Sequence, residues 1–70
     1  MDNNRKLTVI TAEEAVNVIK AAGYTTMSLP HLKAGIDAGV YPFGARIPMK
    51  NNRYEIYKTL LDKWISERSE

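Results

Sequence analysis

The groups in this 70-residue sequence that could do chemistry are hydroxyls, one imidazole and a set of cations. Thr25, Thr26 and Ser28 precede His31 and Lys33, and Arg46, Lys50 and Arg53 follow. Hydroxyls and amides at a helix start, with guanidinium and ammonium groups further on, are suited to holding an anion such as a phosphate. They are poorly suited to making bonds. The single histidine cannot by itself build a Ser/His/Asp triad or a multi-histidine metal centre. Cysteine is absent, which removes disulfides, thiolate zinc sites and cysteine nucleophiles. Glu13 and Glu14 read as a helix-capping pair rather than a catalytic dyad. The composition points away from an enzyme, and neither metal nor cofactor is expected.

The distribution of charge says more than its total of +2. Residues 1–27 sum to zero and residues 59–70 to −1. Residues 28–58 carry Lys33, Arg46, Lys50, Arg53 and Lys58 against Asp37 and Glu55, a net +3. An anionic partner is therefore to be sought in the middle of the chain. Apolar residues never run longer than two in a row, glycine aside, so neither a membrane span nor a signal peptide is expected. The lack of cysteine fits a cytoplasmic setting.

Four elements must position these groups. Residues 1–6 are polar and expected to fray, leaving 7–68 as one domain. Thr11-Ala12-Glu13-Glu14 has the form of a capping box, and Ala12, Ala15, Val16 and Ile19 follow at helical spacing up to Gly23. Helix one is predicted over about 12–22. Ser28 is a plausible N-cap for a second helix over about 29–38, with Pro30 in its first turn and Gly39 as its stop. Its inner stripe is Leu29, Leu32 and Ile36. Pro30, His31, Ala34 and Asp37 point outward, and Lys33 lies at the margin. Gly35 inside this helix signals a close approach.

After Pro42-Phe43-Gly44 the period changes to two. With Asn51-Asn52 as a two-residue turn, Met49 faces Tyr54, Ile47 faces Ile56 and Arg46 faces Tyr57. That register puts Ala45, Ile47, Met49, Tyr54 and Ile56 inside. Arg46, Pro48, Lys50, Arg53, Glu55 and Tyr57 fall outside. Lys50 and Arg53 then oppose each other at the tip, where a phosphate would relieve their repulsion. Pro48 requires a free edge on its strand. From Lys58 to about Arg68, Leu60, Leu61, Trp64 and Ile65 return to helical spacing.

Helix, turn, helix, basic hairpin, helix is the order of a small α+β winged helix-turn-helix, in which the second helix enters the major groove and the hairpin lies on the backbone or minor groove. The stretches Leu7-Thr8-Val9-Ile10-Thr11-Ala12-Glu13-Glu14-Ala15 and His31 to Pro42 resemble the first and second helices of excisionase-type, MerR-like winged-helix proteins. The hairpin and the closing Tyr54-Glu55-Ile56-Tyr57-Lys58 fit as well, so the resemblance spans about residues 7–66. Tyr41-Pro42-Phe43-Gly44 resembles a form found in phages and integrative elements of Gram-positive bacteria. The resemblance implies binding to double-stranded DNA at a bacterial nucleoid. For many members it also implies bending of attachment sites and recruitment of an integrase, with neighbouring copies as further partners. Others of the same fold repress or activate promoters. A third reading, motivated by the weak charge of the second helix, keeps the fold but binds a host protein.

Each candidate residue has a plainer reading. His31 donates to phosphate or a base edge, or is an idle surface histidine. Thr25, Thr26 and Ser28 hold a phosphate, or merely cap the helix. Arg46 enters a narrow minor groove, or stacks on Tyr57 across the strands. Lys33 is a backbone contact if DNA is bound at all. Trp64 reads as core, and Tyr24 and Tyr41 as packing residues.

Overall fold

Thr11 opens the first helix in the way its sequence requires. Its hydroxyl accepts the Glu14 amide at 3.0 Å, and the Glu14 carboxylate accepts the Thr11 amide at 3.0 Å. The computed structural model describes residues 7–69, in the order β1 (Val9–Ile10), α1 (Ala12–Ala21), α2 (Leu29–Asp37), β2 (Gly44–Ile47), β3 (Arg53–Tyr57) and α3 (Lys58–Arg68). The expectation for residues 1–6 lies outside the described residues. Thr11→Ala removes one half of a reciprocal cap and should cost about 1 kcal/mol, lowering the urea midpoint without changing the slope. A cost near zero would mean that water satisfies these amides equally well.

α1 buries Ala12, Ala15, Val16 and Ile19, the stripe its spacing predicts. Ser28 caps α2 by accepting the His31 amide at 3.3 Å, Pro30 sits in the first turn, and Leu32 and Ile36 point into the core. Gly23 and Gly39 follow the two helices, both at positive φ. α3 begins directly after β3 and turns Leu61 and Trp64 inward, with Ile65 partly buried. Leu60, expected in that stripe, is 46% exposed, so the buried stripe is narrower than its spacing predicts.

The sheet differs from the expected two-stranded hairpin in two ways. Val9–Ile10 adds a third strand, so the antiparallel order is β1-β3-β2, with Val9 opposite Tyr57 and Ile10 opposite Ile56. The register of β2 on β3 is also three residues away from the predicted one. Gly44 pairs with Ile56, Ala45 with Glu55, Arg46 with Tyr54 and Ile47 with Arg53. Residues 48–52 form the connection, so Asn51-Asn52 is not a two-residue turn.

Opposite residues share a face, so this register turns β2 over. Gly44 and Arg46 lie with Tyr54 and Ile56 on the face toward the helices. Ala45 and Ile47 lie with Arg53, Glu55 and Tyr57 on the other. Two physical causes favour it. Pro48 has no amide for the ladder, and β2 stops just before it on the free edge. Phe43 enters the core instead of Ile47 and Met49; it is fully buried, whereas Met49 stays 59% exposed. A phenylalanine buries about 150–250 Å² and adds favourable edge contacts to other rings. Phe43 stacks on Tyr41 at 5.3 Å and meets Trp64 edge-on at 5.2 Å. Gly44 follows in a tight space: a Cβ there would lie 2.8 Å from Ile56 Cδ1 and 2.9 Å from Ile36 Cδ1, so those side chains would have to shift.

The core gathers Ile19, Met27, Leu32, Phe43, Ile56 and Leu61 from every helix, the sheet and both long connections. Among the described residues no polar or charged side chain is buried with them. No helix is long and apolar enough to cross a membrane.

Candidate nucleic-acid interface

Lys33 and Asp37 stand one turn apart on the flank of α2 that meets the sheet. Arg46 and Tyr54 form a cross-strand pair on the sheet face that meets α2. The four side chains close into one cluster. Arg46 Nε lies 3.0 Å from Asp37 Oδ1. The Tyr54 hydroxyl donates to the same carboxylate, 2.9 Å from Oδ2 and 3.1 Å from Oδ1. Lys33 Nζ rests 5.2 Å from the centre of the Tyr54 ring.

Arg46 and Asp37 remain 43% and 44% exposed, so their attraction is screened and contributes at most about 1 kcal/mol. The position of the cluster matters more than its strength. It locks the hairpin to α2, so the strand arginine and the helix lysine belong to one surface. Partial burial, reinforced by the Asp37 carboxylate, raises the Tyr54 pKa above its ordinary value. The Tyr54 hydroxyl donates to Asp37.

The structure changes several residue expectations. Arg46 faces Tyr54, not Tyr57, and its guanidinium goes to Asp37 instead of stacking. Lys50 and Arg53 are not opposite each other. Arg53 pairs with Ile47 and lies 3.7 Å from the Glu55 carboxylate, while Lys50 sits in the connection. The expected tip-to-tip repulsion is therefore absent, since Pro48 ended the ladder before it could reach Lys50.

His31 takes a role that neither earlier reading covered. Its Nε2 is 2.9 Å from the Tyr41 hydroxyl, and its ring lies between Tyr41 and Tyr24 at 6.1 and 5.9 Å. Tyr41 lies flat against Gly35, and a Cβ at that glycine would run into the ring. That is the close approach the glycine signalled. Burial first, and Tyr24 second, raise the Tyr41 pKa. Ser28 is the helix cap, and Thr25 and Thr26 are exposed just ahead of it. His31 projects from the first turn of α2, while Lys33 and Asp37 meet the hairpin on another flank.

Two members of the cluster went unrecognised. Asp37 reads from sequence as an outward-pointing residue of the second helix, and Tyr54 as plain core. Their Lys33-to-Asp37 spacing was a usable signal, but only the true register brings Arg46 to it. A cleft of about 810 Å³ lies elsewhere, between the end of α1 and α3, lined by Ile19, Tyr24, Trp64, Ile65 and Arg68 among others. It contains none of the expected contact residues. Among the described residues, no three His, Asp or Glu side chains come together to hold a metal ion.

No known protein family matches the chain, and no similar curated protein or solved structure was found.

Proposed function

We propose that this chain is a small winged helix-turn-helix protein that binds double-stranded DNA and assists an integrase in excision. α2 would be the groove-reading helix and the β2–β3 hairpin the wing. The observation that carries the reading is the Arg46–Asp37 contact, which makes helix and hairpin a single surface. α2 has nine residues, about 14 Å of helix, and the major groove is about 12 Å wide. Thr25, Thr26 and Ser28 lie at its N-terminal end, where amides and dipole favour a phosphate. Lys33 and Lys50 would supply cations toward the flanking backbone, and Arg53 would do so from the other face of the hairpin. The excision role rests on the sequence resemblance alone; a promoter-binding regulator needs the same surface.

Mobility shifts at about 50 and about 200 mM salt test DNA binding, because phosphate contacts weaken steeply over that range. The duplexes are a random sequence and the ends of the element that encodes the chain. Footprinting at those ends, against its early promoter, separates excision from regulation. A second reading draws on a specific observation: Arg46 and Arg53 already face Asp37 and Glu55, which fits a protein partner on the same fold. Absence of salt-dependent binding to any duplex would favour that reading. Replacing both Lys50 and Arg53 with alanine should reduce the salt slope by about one to two. An unchanged slope would mean that the end of the hairpin never meets phosphate.

A further inference from the structure

We propose that Asp37 is a specificity-determining residue that withholds Arg46 from DNA lacking a target site. This inference rests on the DNA-binding reading. Its basis is the chemistry of the cluster: one carboxylate occupies a guanidinium and a phenolic hydroxyl, two donors that would suit a phosphate oxygen. Asp37 therefore stands where a phosphate would otherwise be bound. It also brings a negative charge into the cluster where the Lys33 ammonium rests on the Tyr54 ring.

Non-specific binding is almost wholly electrostatic, so a charge held against the duplex weakens it directly. A target site offers base contacts that offset the same charge. Discrimination of this kind depends on a repulsive element as much as on attractive ones. The geometry makes the restraint reversible, because the Arg46–Asp37 pair is partly exposed and gives up little when it opens. Arg53 and Glu55 form the neighbouring pair on the other sheet face. They are not part of this restraint.

The test compares wild type, Asp37→Asn and Asp37→Glu on two duplexes of about 30 base pairs. One is random, and the other is the tightest binder that wild type selects from a random library. Asn keeps the shape and can still accept from Tyr54, while Glu keeps the charge. Asp37→Asn should bind the random duplex about three- to tenfold tighter at about 50 mM salt, with a salt slope steeper by about one. Its affinity for the selected duplex should change by less than about threefold, so discrimination falls. Asp37→Glu should stay close to wild type on both.

Equal gains on both duplexes, no gain on the random one, or Glu behaving like Asn would each overturn the proposal. Thermal melts of the variants confirm that the fold is intact. Wild type binding no duplex would instead sink the DNA-binding reading. That outcome removes this inference with it, whereas the three outcomes above overturn the inference alone and leave DNA binding standing.

Discussion

Phe43→Ala is expected to cost about 3–5 kcal/mol and to leave a large part of the chain unfolded at room temperature. Phe43 is fully buried and contacts the Tyr41 and Trp64 rings, so truncation opens a cavity where the sheet, α3 and the connection before β2 meet. A chain of 70 residues has a total stability of only about 3–10 kcal/mol. The loss is therefore comparable to the whole. Urea unfolding followed by circular dichroism, with the fluorescence of the single Trp64 as a second probe, measures it directly. The same substitution removes the residue that holds β2 in register. Any folded remainder should have a more mobile hairpin, visible as faster amide exchange at Gly44–Ile47. A cost under about 1 kcal/mol would show that Ile47 or Met49 can take its place by a register slip.

The second large effect concerns the surface. Arg46→Ala should weaken binding to the selected duplex by about three- to tenfold, and binding to a random duplex less, because it removes a cation and leaves the Asp37 carboxylate without it. Lys63→Ala on α3 should change binding less. Adding Asp37→Asn to Arg46→Ala should restore part of the lost affinity, since it removes the carboxylate left without its partner. Restoration of this kind is a coupling energy between two contacting residues, which a double-mutant cycle isolates. Equal effects at Arg46 and Lys63 would count against the hairpin as a DNA contact. Failure of the second substitution to restore binding would mean that Arg46 touches the duplex independently of Asp37.

The parts of this fold that were legible in the sequence are those whose signals are local. The Thr11–Glu14 box, the Ser28 cap and the spacing of Ala15, Val16 and Ile19 act within one or two turns. They place α1 and α2 within a residue of their observed ends. Lys58–Arg68 was equally legible as a helix. β1 was not, since two residues offer no period and become a strand only by pairing with β3. Met27 and Phe43 were not read as core either, because each lies in a connection and is buried by elements distant in the chain.

The candidate surface divides along the same line. Cations on the hairpin, a hydroxyl-rich approach to α2, and Lys33 and Asp37 on one helix flank all follow from residue types and helical geometry. Which way each β2 side chain points does not. A slip of three residues inverts a strand, and the choice here was made by a ring that needed burial and a glycine that lets α2 come close. Local spacing and capping determined three helices and where the charge lies. Pro48 limited where β2 could end, but only long-range packing decided that Arg46 meets Asp37, because register depends on contacts between residues far apart in the chain.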